Sequence, residues 1–229
     1  MIDISQLTKT LYGGGHRVDI LNGIDLAIPS GQFVAVTGES GSGKTTLLSL
    51  IAGLDTPSGG KIVIDGKDIT KLNEDELALL RGERFGFVFQ NFHLIPTLTA
   101  LENVALSAEL NGTPGAQKKS ADLLGTVGLG DRLKHYPAQL SGGEQQRLSL
   151  ARAFVNEPDI VLADEPTGNL DSKNSERIID LIAKLHQAKN ATVILVTHET
   201  HIAQTSQRIL TMADGRITHD SLPPPGNIP

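Results

Sequence analysis

Residues 38–45 read Gly-Glu-Ser-Gly-Ser-Gly-Lys-Thr, which fits the pattern G-x-x-x-x-G-K-[ST]. The glycines of such a loop let the backbone fold round a polyphosphate so that successive N–H groups point at it. A helix starting behind the loop adds the partial positive charge of its N-terminus. Lys44 would reach the β and γ phosphates, and the Thr45 hydroxyl would hold Mg²⁺. The candidate cradle is Gly38, Ser40, Gly41, Ser42, Gly43, Lys44, Thr45 and Thr46. A glycine-rich turn could match the pattern by accident. The context argues otherwise: an apolar run at 33–37 leads in, and a helical pattern begins at Lys44.

A second group sits at 160–165, where Ile-Val-Leu-Ala runs into Asp164 and Glu165. Carboxylates at the tip of a buried strand are costly without partners. A metal ion and a water nucleophile are such partners. Asp164 would hold Mg²⁺, usually through water, and Glu165 would act as general base on the attacking water. A strand that merely exits to solvent looks the same, and the phosphate loop in the same chain is what favours chemistry. A third group, 140–147, reads Leu-Ser-Gly-Gly-Glu-Gln-Gln-Arg. Ser141 and Glu144 form a capping box that starts a helix over 144–156. That leaves Gly142 and Gly143 unexplained, because glycine weakens a helix. Two glycines there bare the first N–H groups and Ser141 adds a donor, which makes a second anion site. One chain cannot easily place two such sites on one γ-phosphate, whereas two chains packed head to tail can.

These groups need a scaffold. Strand signals lie at 33–37, 61–65, 85–89, 160–163 and 193–197. The runs from Phe33, Ile160 and Val193 are continuously apolar, as strands buried on both faces of a parallel sheet are. Helical patterns lie at 44–54, at 73–80 and 99–110 behind capping boxes (Asn73 with Glu76, Thr99 with Glu102), and at 172–189. Strands alternating with helices predict an α/β fold with a mostly parallel sheet. Residues 91–156 break the rhythm with helices parted by Gly112, Pro114, Gly128, Gly130 and Pro137. They read as a helical subdomain inserted into a core made of 1–90 and 157–220. The first 30 residues and 61–65 read as antiparallel β structure on that core. Residues 221–229, with Pro223, Pro224 and Pro225, read as a flexible tail.

Composition narrows the function classes. Lys plus Arg is 20 and Asp plus Glu is 26, a formal net charge of −6. A mildly acidic chain gains nothing from long-range attraction to nucleic acid or anionic lipid. With no cysteine, disulfides, thiolate metal sites and thiol nucleophiles are excluded. The N-terminus lacks a signal-peptide pattern, and the longest apolar stretch, 47–54, is far short of the ~20 residues a membrane span needs. A cytoplasmic protein without direct membrane insertion is expected, with any membrane contact made through a protein partner.

The segment 140–147 resembles the signature motif of ABC ATPases, and the phosphate loop, Asp164-Glu165 and their spacing agree over essentially the whole chain. The resemblance implies a P-loop NTPase (RecA-like) core with an antiparallel β subdomain and an inserted helical subdomain. It implies ATP and Mg²⁺ as nucleotide and metal, and Ser141, Gly142 and Gly143 on the γ-phosphate of ATP held by a second copy of the chain. Residue by residue, Gln90 matches the glutamine that contacts Mg²⁺ and water, and Asp171 matches the dimer-seam aspartate. His198 matches the switch histidine that contacts the γ-phosphate. Tyr12 resembles the aromatic that stacks on adenine, though the glycines at 13–15 leave its register open. The catalytic set implied is Glu165, His198, Gln90 and Lys44, with Thr45, Gln90 and Asp164 on the metal. Residues 85–104 and 164–171 resemble the branch that holds lipoprotein-releasing, macrolide-export and cell-division ATPases, and the form at 94–98 with the compact length points to an export ATPase within it.

An ATPase subunit docked on an integral-membrane permease, peripheral on the inner face of the cell membrane, is the expectation. A related ATPase that signals across the membrane without transport shares all this chemistry. A P-loop kinase leaves Ser141, Gly142 and Gly143 unexplained, and DNA-repair relatives carry insertions this length forbids. His198 and His201 have metal-pair spacing but no third ligand set. Phe92, Leu94, Ile95 and Leu98, broken by Pro96, fit no single helix face or strand. Some of them are expected at the surface, where the resemblance implies a groove for a short cytoplasmic helix of the permease.

Overall fold

The computed structural model describes residues 1–13 and 16–222. The glycine loop beside Tyr12 and the expected tail therefore fall largely outside the described residues. Along the chain the elements are β1 (Ile2–Gly13), β2 (His16–Ile28), β3 (Phe33–Gly38), α1 (Lys44–Ile51), β4 (Gly59–Ile64), β5 (Lys67–Asp68) and α2 (Glu74–Arg84). There follow β6 (Phe85–Phe89), α3 (Ala100–Leu110), α4 (Ala116–Thr126), α5 (Gly142–Phe154), β7 (Ile160–Asp164) and α6 (Ser172–Lys189). The chain ends through β8 (Thr192–Val196), α7 (Thr200–Ala203), β9 (Arg208–Ala213) and β10 (Arg216–Asp220). Contacts divide it into two compact units, Met1–Ala78 with Thr192 onward, and Leu79–Ala191.

In the first unit, β2, β1, β4 and β5 form an antiparallel sheet in that order. Its alternating apolar residues turn to one side and are buried: Ile2 and Ile4 on β1, Ile24, Leu26 and Ile28 on β2, Ile62 and Ile64 on β4. The second layer is built round β3, which runs parallel to β8 on one side and β9 on the other, with Val34 opposite both Ile194 and Arg208. Val34, Ala35, Val36 and the whole of Val193–Val196 are buried, as expected of strands covered on both faces. β10 returns antiparallel to β9. That hairpin carries a buried cation at its start. Arg208 donates from Nε to Asp220 (2.9 Å) and from Nη1 to the Ala27 carbonyl (2.7 Å), which ties β9, β10 and β2 together. The hydrogen bond from Arg208 holds the Asp220 carboxyl below the usual carboxylate range.

In the second unit, β6 and β7 run parallel from Phe85 opposite Ile160 to Phe89 opposite Asp164. α5 packs on β6, α3 on α4 and α5, and α6 on α5. Between 91 and 156 the described residues contain α3, α4, α5 and short 3₁₀ turns, with no strand. Val104, Leu124, Leu148, Leu150 and Phe154 fill the space between these helices. Each such side chain contributes roughly 1.5–3 kcal/mol by leaving water. Thr99 and Ser141 both start their helices with complete capping boxes.

Candidate functional site

The phosphate loop belongs to the first unit and joins β3 to α1. Gly38, Gly41 and Gly43 all have positive φ (142°, 83° and 99°), a region that glycine enters without steric cost. Two of them also lack room for a side chain. A Cβ on Gly38 would lie 2.2 Å from the Met212 carbonyl oxygen, and one on Gly43 would lie 2.7 Å from Leu21 Cδ2. α1 begins behind Gly43 with no side-chain cap and no acidic residue in its first turn. By contrast α3, α5 and α6 are capped by Thr99, Ser141 and Asp171. A helix start that no side chain serves, behind a loop of left-handed glycines, fits a polyphosphate. Lys44 is only 6% exposed. Its ammonium donates to the carbonyls of Gly38 (2.8 Å) and Glu39 (2.7 Å), so the cation lies inside the curl of the loop. Ser42 is buried, Thr46 half-buried, and Ser40 and Thr45 exposed.

His198 is in the same unit. Val36 stands opposite Val196, and the Thr197 N–H donates to the Val36 carbonyl (3.1 Å). The chain therefore leaves β8 towards His198 at the same end of the strands at which β3 enters the phosphate loop. The His198 side chain is exposed. Tyr12 lies near the end of β1 opposite Arg17 and is 79% exposed.

The strand tips of the second unit bring Gln90, Asp164 and Glu165 together. Phe89 opposite Asp164 is the last rung of the β6–β7 ladder, so Gln90 and Glu165 each stand one residue beyond it. Glu165 has φ 45°. A left-handed non-glycine residue costs on the order of 1–3 kcal/mol, and such residues gather at functional sites. Here the conformation swings the chain off the strand into a turn in which the Gly168 N–H donates to the Glu165 carbonyl (3.1 Å). Gln90 packs against that turn: a Cβ on Gly168 would lie 2.6 Å from Gln90 Nε2. Asn169 Nδ2 donates to the Gln90 carbonyl (3.0 Å) and to Asn91 Oδ1 (3.2 Å).

At the start of α5, Ser141 Oγ accepts from the Glu144 N–H (3.3 Å) and donates to Glu144 Oε2 (2.9 Å), which also accepts from the Ser141 N–H (2.9 Å). That backbone bond, the Ser141 hydroxyl and Arg132 hold the Glu144 carboxyl below its usual range. The structure adds a reason for Gly143: a Cβ there would lie 2.8 Å from Asn174 Oδ1. Asn174 is itself fixed by Asp171, whose carboxylate accepts from the Asn174 N–H (2.9 Å) and side-chain amide (2.7 Å). Asp171 caps α6 and, through Asn174, sets the space at the start of α5.

Sequence reasoning missed the polar side chains that fix the loop after Gln90. Asn103 on α3 is 1% exposed. It donates to the carbonyls of Ile95 (3.1 Å) and Leu98 (2.9 Å) and accepts from the Ile95 N–H (2.8 Å). Arg152 on α5 donates to the carbonyls of Phe92 (2.8 Å) and His93, two consecutive left-handed residues. Burial lowers the Arg152 pKa from its ordinary value. On the sequence both look like ordinary polar helix positions, and only their burial distinguishes them.

The ABC transporter family model matches residues 21–168, from the middle of β2 to the turn after β7. The chain belongs to the ABC transporter family of ATP-binding proteins. It has the ABC ATPase fold, and membership makes it an ABC-type ATPase with ATP and Mg²⁺ as nucleotide and metal. It is 45% identical to the ABC transporter ATP-binding protein YbbA of Escherichia coli K12 over 223 residues, which covers 96% of this chain and 98% of that one. It is 49% identical to the macrolide export ATP-binding/permease protein MacB of Brucella abortus strain 2308, over 96% of this chain and 34% of the relative. The chain thus spans about a third of the MacB relatives it matches. The dimeric, post-hydrolysis structure of the ATP-binding cassette MJ0796 bound to ADP and Pi superposes with a TM-score of 0.89 at 40% identity, covering 96% of this chain and 98% of that one. No helix among the described residues of this ABC ATPase is long and apolar enough to cross a membrane.

Proposed function

We propose that this ABC ATPase closes head to tail on a second copy of itself around two Mg–ATP and drives an integral-membrane permease of export type, in the manner of a macrolide- or lipoprotein-extrusion system. The observation that carries the reading is the uncapped start of α1, where left-handed glycines curl round the buried Lys44 ammonium; the start of α5 at Gly142 and Gly143, capped by Ser141 and Glu144, would be the second anion site. Lys44 would leave the Gly38 and Glu39 carbonyls for the β and γ phosphates. Thr45, Asp164 and Gln90 would hold the metal, which when bound neutralises charge on the phosphoryl oxygens. Glu165 would take the proton of the attacking water, and His198 would contact the γ-phosphate. The partner's contribution would be the N–H groups at Gly142 and Gly143 and the Ser141 hydroxyl. That hydroxyl can turn from Glu144 to a phosphate without undoing the cap, because Glu144 keeps the Ser141 N–H. Asp171 would sit at the seam, and Tyr12, held out on β1, would stack on adenine.

If each site needs both copies, specific ATPase activity should rise with protein concentration and level off once the ATP-bound dimer dominates. Specific activity that stays constant on dilution, with the protein monomeric by light scattering, would refute the composite site. YbbA is named as an ABC transporter ATP-binding protein, and MacB joins an ATP-binding portion to a permease in its name. Both support a peripheral place on the membrane through a permease partner.

The permease would dock on the loop that carries Phe92, Leu94, Ile95 and Leu98. None of the four is fully buried, and Ile95 is 38% exposed. Asn103 and Arg152 hold this backbone in place, so the exposure is imposed by the fold. Changing Phe92 and Leu94 together to serine should abolish co-purification with the permease and leave basal ATPase and thermal stability near wild type. A large loss of stability, with whatever folds still bound to the permease, would return these side chains to the core.

A further inference from the structure

The β6–β7 ladder stops one residue short of where the chemistry is assigned. Its last rung is Phe89 opposite Asp164, and past it no sheet bond fixes the distance between Gln90 and Glu165. A side chain from a third element takes over. Gln146, one turn into α5 and 0% exposed, donates from Nε2 to the Pro166 carbonyl (2.6 Å) and to the Phe89 carbonyl (3.4 Å). One of those carbonyls belongs to the peptide that precedes Gln90, and the other to the residue that follows Glu165. A primary amide has two N–H donors at a fixed angle and can join two carbonyls as the next rung of a ladder would.

The residue is expensive for its place. Gln146 Oε1 is buried and has no hydrogen-bond partner among the described residues. An unsatisfied buried acceptor costs about 1–3 kcal/mol. Leucine or methionine would fill the same space with no orphan acceptor of its own but would leave the Pro166 and Phe89 carbonyls without this donor, so the amide is accounted for by its two donors and not by packing. We infer that Gln146 is a positioning residue for hydrolysis: its side-chain amide holds Gln90 and Glu165 at a set separation and locks that separation to α5. The helix that begins at Ser141 is thus bonded, five residues on, to the backbone beside both catalytic side chains of its own chain. A shift of α5 when Ser141 meets a partner's nucleotide would reach Gln90 and Glu165 through this amide. The inference rests on the assignment of Gln90 and Glu165 made above.

Gln146→Leu removes both donors and keeps the volume. We expect kcat to fall about ten-fold or more while the KM for ATP and the affinity for a fluorescent ATP analogue change less than about two-fold, since a positioning loss acts on the transition state and not on ground-state binding. The melting temperature should change little, because the orphan Oε1 is removed while the Pro166 and Phe89 carbonyls lose this donor. A kcat within about two-fold of wild type overturns the inference, as does a proportional loss of nucleotide affinity. Gln146→Glu provides a second readout if the leucine variant does not fold. Burial raises the carboxyl's pKa. Its neutral form can donate to the Pro166 carbonyl, and its ionised form only repels both carbonyls. Its kcat relative to wild type should therefore climb as pH falls from about 8 to about 6, and a flat ratio overturns the inference. Glu165→Gln assayed alongside separates the two claims: if it retains wild-type turnover the site assignment itself fails, whatever Gln146 does.

Discussion

Glu165→Gln is expected to bind ATP with near-normal affinity and to lose hydrolysis by about 10²–10⁴-fold, the usual worth of a positioned general base. The amide has the shape of the carboxylate but cannot accept the proton of water. The position matters as much as the group. Glu165 stands one residue past the end of β7 in a left-handed conformation, φ 45°, with its carbonyl holding the turn to Gly168. Glutamine pays the same backbone cost there, so the melting temperature should move little and the variant remains a test of chemistry. If closure needs ATP and reopening needs hydrolysis, the variant should collect as an ATP-bound dimer, seen as a shift to twice the mass on size-exclusion chromatography with ATP and its absence with ADP. Near-normal turnover would remove Glu165 from the role of base. A dead enzyme that never dimerises with ATP would leave the base in place and count against reopening being driven by hydrolysis.

What the sequence makes legible here is what is local or periodic. The phosphate loop, its strand and its helix form one contiguous stretch, so residue types alone place it between β3 (Phe33–Gly38) and α1 (Lys44–Ile51). The apolar runs from Ile160 and Val193 lie in β7 and β8, whose strands are buried residue after residue as strands covered on both faces are, and the strand signal at 85–89 is β6. The capping boxes at Asn73, Thr99 and Ser141 are present as hydrogen bonds because each is closed within three residues. What escapes depends on distant parts of the chain. β9 and β10 carry no strand signal, since β9 opens on Arg208, a cation at a buried position that makes sense only with Asp220 and Ala27 round it. Gly143 reads as a phosphate-facing glycine, yet Asn174, 31 residues away, already forbids a side chain there. Asn103 and Arg152 are unremarkable as letters on amphipathic helices, and Gln146, though inside the 140–147 segment, is given no role by it. Their meaning lies in carbonyls of another segment, which no spacing rule reaches.

Two single substitutions, each inactive alone, should restore activity when mixed. Lys44→Ala removes the ammonium held inside the phosphate loop (6% exposed, bonded to the Gly38 and Glu39 carbonyls). Losing a charged donor of about 1.5–3 kcal/mol should weaken ATP binding roughly 10- to 100-fold. Ser141→Arg places a long cation at the glycine-opened start of α5. It should leave ATP binding to that chain intact while blocking the approach of a partner's nucleotide, because Ser141 is assigned to the nucleotide bound by the other copy. In a two-fold dimer each site pairs the phosphate loop of one chain with the α5 start of the other. A mixed dimer then has one site carrying both defects and one carrying neither. With free exchange and equal amounts, half of the dimers are mixed and each has one good site, so about a quarter of wild-type activity should return if the sites fire independently. Subunit exchange can be confirmed by giving the two variants tags of different mass. Recovery near that level fixes Lys44 and Ser141 on opposite sides of one composite site. A mixture as inactive as its parents, with exchange demonstrated, would mean either that Ser141 acts within its own chain or that one intact site cannot turn over alone. A Glu165→Gln and wild-type mixture separates these: its wild-type dimers alone supply about a quarter of full activity, so a rise towards a half shows that one intact site turns over alone, and that rise with no activity in the first mixture would refute the head-to-tail assignment of Ser141.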